Sequence, residues 1–184
     1  MINILSKKYQ ISLSFTLSLL LFSCSTKPKF DNYNYHQSFE ELRGWFDVPP
    51  TITSEIIAHS GVYTALTNEI QRFSPTLRLK FYEIEANKPK RVKASVWCYS
   101  TDISNEGSLC FELKNEANEV QLWVVKSLKD AGVKPFIWTR IDLTTSFTKE
   151  KFSPNNQIGV FFWNTGKGKV YVDDFSFEVI RGSY

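Results

Sequence analysis

Arg91 to Ser100 read RVKASVWCYS, and their side chains sort into two sets by simple alternation. Val92, Ala94, Val96 and Cys98 form one set, all apolar, while Lys93, Ser95, Trp97 and Tyr99 form the other. A period of two is the mark of a strand with one buried face and one wet face. Thr76 to Ile84 (TLRLKFYEI) repeats the pattern, with Leu77, Leu79 and Phe81 set against Arg78, Lys80 and Tyr82. Working outward, further β-rich runs lie at Tyr33–Phe39, Ser54–His59, Val62–Thr67, Leu109–Lys114, Val120–Ser127, Phe136–Leu143, Gln157–Trp163 and Lys169–Ile180. Gly, Pro and Asn break the chain between them, and no helical periodicity of useful length occurs. Ser127–Lys134 is the one stretch that could form a helical turn, and its Gly132 argues for a loop. Asn164–Gly168 (NTGKG) predicts a hairpin turn between its flanking strands. About ten short strands in one domain read as an all-β protein, a single antiparallel β-sandwich.

The first 23 residues stand apart from that pattern. Lys7 and Lys8 precede a twelve-residue apolar run, Ile11 to Phe22, that is too short to cross a bilayer of roughly 30 Å. A positive start followed by about 7–15 apolar residues is the pattern of an export signal. The run ends Leu21-Phe22-Ser23-Cys24, which resembles the lipobox of bacterial lipoproteins. That resemblance implies a signal peptide over 1–23, lipidation of Cys24, a tether over 24–31 and a β-sandwich over 32–184. Phe22 is bulkier than the lipobox usually holds, so an ordinary signal peptide with an incidental Cys is the alternative. No acid follows at position 25, and an outer-membrane lipoprotein held only by its lipid is the natural reading, with the leaflet open.

Export changes the meaning of the charge. The 184 residues carry 22 bases and 19 acids, a net of +3. Lys7 and Lys8 account for two of those bases, so the exported part is close to neutral. It has no run of five like charges, and a nucleic-acid partner would need a basic stripe.

Two cysteines remain once Cys24 is set aside, in an oxidising compartment where disulfides persist. If the strands around Cys98 and Cys110 pair as a hairpin centred on Ser104, the two thiols face each other, and a structural disulfide is expected. Two free buried thiols are the alternative. The eleven-residue gap excludes a CxxC redox motif.

Several short motifs resemble one family in order. They are Ser38–Trp45 (SFEELRGW), His59–Tyr63 (HSGVY), Arg91–Trp97 (RVKASVW), Trp138, and Val170–Phe175 (VYVDDF). Together they resemble the galactose-binding-like jelly rolls of carbohydrate-binding modules. The resemblance implies a jelly-roll sandwich and a structural calcium between the last strand and the N-terminal segment, with Glu40 and Asp174 as metal ligands. Carboxylates and carbonyls suit that ion. The other reading of these acids is that they cap loop amides or pair with a base.

The sequence does not supply the usual catalytic signatures. His36 and His59 are the only histidines and fall in no metal-ligand spacing, and no G-x-S-x-G turn occurs. Glu40-Glu41 and Asp173-Asp174 are neighbours in sequence, which on a regular strand point to opposite faces. The chain therefore reads as non-catalytic. Its aromatic content, 15%, is the more informative number. Trp97 and Tyr99 share the wet face of their strand with Lys93, and Trp123 shares its own with Gln121. Large aromatics on a polar face are informative exposures. A polysaccharide or oligosaccharide site is expected on Trp97, Tyr99 and Trp123, with Gln121, Lys93 and Arg78 as polar partners. The alternative is an envelope lipoprotein that binds a protein or acts as a spacer, its tryptophans covered by loops.

Overall fold

A computed structural model describes residues 32–41, 52–54, 56, 58–84, 89–104, 106–148 and 153–181. The proposed signal, Cys24, the tether up to position 31 and Trp45 lie outside the described residues. Among the described residues there are ten strands: β1 (Asn32–Gln37), β2 (Ile52–Thr53), β3 (Thr64–Thr67), β4 (Leu77–Lys80), β5 (Pro89–Ser100), β6 (Ser108–Lys114), β7 (Val120–Ser127), β8 (Thr139–Ser146), β9 (Gln157–Trp163) and β10 (Val170–Arg181). They build two antiparallel sheets. One has six strands in the order β2-β3-β10-β5-β8, with β1 also on β10; the other has four, β4-β9-β6-β7.

The alternation that suggested the sandwich is what closes it. Val92, Ala94, Val96 and Cys98 of β5 face inward, as do Leu109, Phe111 and Leu113 of β6, and all seven join one core. Phe39, Phe81, Phe111, Phe162, Phe175 and Phe177 are almost fully buried there. Edge-to-face contacts knit the rings, with Phe147 meeting Phe81 at 5.7 Å and Phe111 at 5.8 Å. Each such ring stabilises the fold by roughly 2–3 kcal/mol through burial.

The connections differ from the sequence reading in an instructive way. Of the consecutive strands, only β2–β3 and β6–β7 pair with each other. β9 lies in the four-stranded sheet and β10 in the six-stranded one, so 164–168 is an arch between layers and not a hairpin turn. The same holds for β5 and β6. Cys98 and Cys110 therefore do not face each other across a ladder. Cys98 points into the core, Cys110 lies on the outward side of β6 in register between Phe161 and Val125, and both are free and buried. The expected disulfide is corrected to two separate thiols. Burial pushes the Cys98 thiol well up, and burial together with the Glu112 charge pushes Cys110 up to about 12. Neither is a reactive thiolate at neutral pH. Ser54–His59 is not a strand where it is described, and Thr76–Ile84 is a strand only as far as Lys80, beyond which residues 81–84 turn.

Candidate functional site

The two sheets have two outer faces, and the expected site residues divide between them. Lys93, Trp97 and Tyr99 point outward from β5 in the six-stranded sheet. Arg78 points outward from β4, and Trp123 and Gln121 belong to β7, all in the four-stranded sheet. Trp97 and Trp123 sit back to back across the core, so no single groove contains the predicted set.

On the six-stranded face the aromatics are largely covered. The His59 ring stacks on Trp97 at 3.8 Å with 17° between planes, and it also meets Trp138 at 5.8 Å. Tyr99 packs against Trp138 at 5.6 Å and Tyr171 at 6.2 Å. Lys93 pairs with Glu178 on the neighbouring strand at 3.4 Å. One face of Trp97 is thus already occupied, and the same ring cannot offer that face to a ligand.

The cause is a turn at 58–63 held down by acids. β10 carries a bulge where its register with β5 shifts between Asp173 and Ser176, and Asp174 there has a φ of 47°. Val172 before the bulge and Phe175 after it both enter the core. A bulge re-aims side chains, and here it turns both carboxylates toward the same turn. That corrects the expectation that neighbours in this strand must diverge. Ser60 donates its backbone N–H to Asp173 at 3.1 Å and its hydroxyl to Asp174 at 2.7 Å. His59 donates from Nδ1 to Asp174 Oδ2 at 2.6 Å, and His36 Nε2 lies 3.4 Å from Oδ1. Glu40 accepts the N–H groups of Val62 and Tyr63, each at 2.8 Å. Gly61 is required beside it: its φ is 65°, and a Cβ there would lie 2.3 Å from Glu40 Oε1. Burial pushes the Asp173 carboxyl up to about 6, against hydrogen bonds that pull it down.

In this structure the acids that the resemblance assigns to calcium, Glu40 and Asp174, are met by donors of the protein itself. Calcium takes six to eight oxygen ligands, whereas Glu40 and Asp174 are met by nitrogen and hydroxyl donors. Among the described residues no three His, Cys, Asp or Glu side chains gather into a metal-binding group. The arrangement matches the other reading, acids that cap amides and pair with a base. Adding calcium, or a chelator, is expected to leave the melting temperature unchanged in a thermal scan; a calcium-dependent rise of several degrees would contradict this arrangement.

The four-stranded face is different. Its register places Arg78, Gly159, Glu112 and Trp123 in one row across β4, β9, β6 and β7. The next row holds Phe161, Cys110 and Val125. Beyond it, Trp163 bridges to Phe73. Four rings form a continuous strip: Phe73 stacks on Trp163 at 6.1 Å and meets Phe161 at 5.8 Å, and Trp123 lies 5.9 Å from Phe161 and 6.5 Å from Trp163. Trp123 is 43% exposed, Val125 46% and Phe73 41%. On the other side of the row, Arg78 Nη1 and Lys114 Nζ both reach Glu112 Oε1, at 2.8 and 3.2 Å. Arg78 and Glu112 sit on strands separated by β9 and meet over Gly159. A Cβ at 159 would come within 2.6 Å of Glu112, so the missing side chain makes the pair possible. Sequence reasoning singled out Arg78 and Trp123 but missed Glu112, Lys114, Phe73, Phe161, Trp163 and Gly159. The signal was there in SLCFELK, where inward Leu109, Phe111 and Leu113 leave Cys110, Glu112 and Lys114 outward.

Chemically this face offers flat apolar rings beside fixed cationic donors and a carboxylate acceptor. That mixture suits a ligand with both an apolar face and hydroxyl groups.

No family model and no curated protein matches the sequence. The fold does match solved structures. The CBM22-1 xylan-binding domain of Paenibacillus barcinonensis Xyn10C superposes with a TM-score of 0.53 at 16% identity, covering 81% of this chain and 95% of that one. A second structure described as a xylan-binding domain from CBM 22 gives 0.55 at 15%, covering 85% and 99%. CBM35 from Cellvibrio japonicus Abf62 gives 0.51 at 14%, covering 83% and 100%. At such identities the likeness is one of fold. This chain has the β-sandwich of carbohydrate-binding modules, as the sequence motifs implied.

Proposed function

We propose that this protein is a non-catalytic envelope lipoprotein that binds carbohydrate on the outer face of its four-stranded sheet. The observation that carries the reading is the outer-face aromatic strip, in which exposed Trp123 and Phe73 flank half-buried Trp163 over a buried Phe161, lying beside the Arg78–Glu112 pair. Sugar rings present C–H groups to aromatic faces, and their hydroxyls take fixed polar partners at the ring edge. The site stands on four strands of one sheet, and rigid elements hold such groups more precisely than loops do. Two of the structures that share this fold are described as xylan-binding, which makes xylan the first probe. A glycan array that includes plant and bacterial polysaccharides tests the reading, with binding to at least one glycan class expected. No binding across the array would sink it.

A second reading, an envelope protein partner, draws on the six-stranded side. Phe136 and Ile137 are 60% and 54% exposed there, and Phe136 lies 6.4 Å from Tyr99. Array-negative protein that captures a defined envelope protein would favour it.

The anchor is proposed from the sequence alone. Lipidation of Cys24 would hold the chain to the outer membrane, since several acyl chains at about 0.8 kcal/mol per buried methylene anchor firmly. Cys24→Ala is expected to shift the protein from the membrane fraction to the soluble one, as read by fractionation. Unchanged membrane retention would contradict the anchor.

A further inference from the structure

We infer that the aromatic strip takes single glycan chains that are free to twist, and does not hold the flat surface of a crystalline polysaccharide. This rests on the glycan reading above and narrows it to the physical form of the ligand. The ground is the tilt between the rings that reach solvent. Trp123 and Phe73 are the most exposed rings of the strip, at 43% and 41%. Trp163 is inclined at 78° to Trp123, and Phe73 stacks on Trp163 with only 13° between their planes. Phe73 is therefore steeply inclined to Trp123 as well. The buried Phe161 between them stands at 57° to Trp123 and 70° to Phe73. A plane laid flat on Trp123 meets Phe73 near its edge.

The tilt is built into the backbone. Trp123 stands in the middle of β7 and packs against two rings of β9. Phe73 lies on the segment between β3 and β4, and that segment is clamped on both sides of it. Asn164 donates its N–H to the Arg72 carbonyl at 2.8 Å, and Ser74 donates its own to the Phe162 carbonyl at 3.0 Å. Phe162 returns an N–H to Ser74 Oγ at 2.9 Å. Upstream, the Asn68 side chain accepts the N–H groups of Ile70 and Gln71, each at 2.8 Å. Bringing the Phe73 ring level with Trp123 would break its packing on both Trp163 and Phe161. A sugar stacks by laying its C–H face on a ring face. A crystalline polysaccharide presents the faces of neighbouring sugars in one plane, so it covers one of these rings and not the other. A free chain rotates between successive sugars, so one sugar lies on Trp123 while a neighbour turns to meet Phe73.

The test sets soluble probes against crystalline ones. Xylohexaose, cellohexaose and chitohexaose are titrated into the purified protein beside the glycan array, and suspensions of crystalline cellulose and crystalline chitin are assayed by depletion of the supernatant. Binding to a soluble chain is expected, on the array or by titration, while both powders leave the protein in solution. Phe73→Ala is expected to weaken the soluble binding about tenfold, the loss of one stacked ring. Phe73→Leu keeps the apolar bulk without the flat ring and is expected to lose as much, with circular dichroism confirming the fold of both variants. Soluble affinity unchanged by both Phe73 variants would overturn the inference while leaving the glycan reading in place. Depletion by either powder that Trp123→Ala abolishes would do the same. Silence from every soluble and crystalline probe would remove both.

Discussion

Trp123→Ala is expected to weaken glycan binding by about 2 kcal/mol, roughly thirtyfold, with little change in stability. Aromatic anchors dominate interfaces of this kind because they supply area at low conformational cost. Trp123 sits on β7, an edge strand, and its ring is nearly half exposed. Cutting it back leaves Phe161 and Trp163 in place and opens no core cavity, so the fold should tolerate the change. Trp97→Ala makes the opposite prediction. It removes the surface on which His59 stacks and should lower stability, while affinity stays within about twofold because Trp97 faces away from the proposed site. Paired titrations of the two variants check the assignment of face. If Trp97→Ala abolishes binding and Trp123→Ala does not, the site is on the other sheet.

Asp174→Ala is expected to cost about 1–3 kcal/mol of stability through its lost hydrogen bonds, read as a fall in the denaturation midpoint. Removing the carboxylate leaves its partly buried donors unsatisfied, which is where that cost arises. Asp174 accepts from His59 and Ser60 at 2.6 and 2.7 Å with its side chain 12% exposed. Its φ of 47° adds a second term, because an Ala there carries the left-handed penalty of about 1–2 kcal/mol without any local hydrogen bond to offset it. Asp174→Asn separates the two. Asn tolerates that backbone conformation and keeps an acceptor for Ser60, so it should recover much of the loss. Equal destabilisation by Ala and Asn would assign the effect to charge alone. Neither variant losing stability would contradict the role of the bulge in holding the 58–63 turn.

The sequence carried the strands well where alternation was long. β5, β6, β7, β9 and β10 lie within a residue or two of their expected bounds, because a period-two pattern over seven or more residues has few other readings. Strand partners were not legible in the same way. Alternation says which residues face inward but not which sheet they join, and a jelly roll sends most successive strands to opposite layers. That is why a plausible hairpin brought Cys98 and Cys110 together on paper, and why 164–168 looked like a tight turn. The same gap scattered the expected site. Trp97 and Trp123 obeyed the parity rule individually, and only the layer assignment shows that they face opposite ways. The bulge at Asp173–Asp174 escaped for a related reason: one extra residue between Val172 and Phe175 reverses a face without altering composition. Gly159 was the most readable missed clue, since a glycine inside an otherwise apolar strand marks close approach of a neighbour.

The most direct measurement of the central claim is an NMR titration that follows the indole N–H signals of the protein's five tryptophans as a binding glycan is added. The account predicts that Trp123 and Trp163 shift in proportion to occupancy while Trp97 and Trp138 hold still. Shifts confined to Trp97 and Trp138, with Trp123 unmoved at saturation, would contradict it.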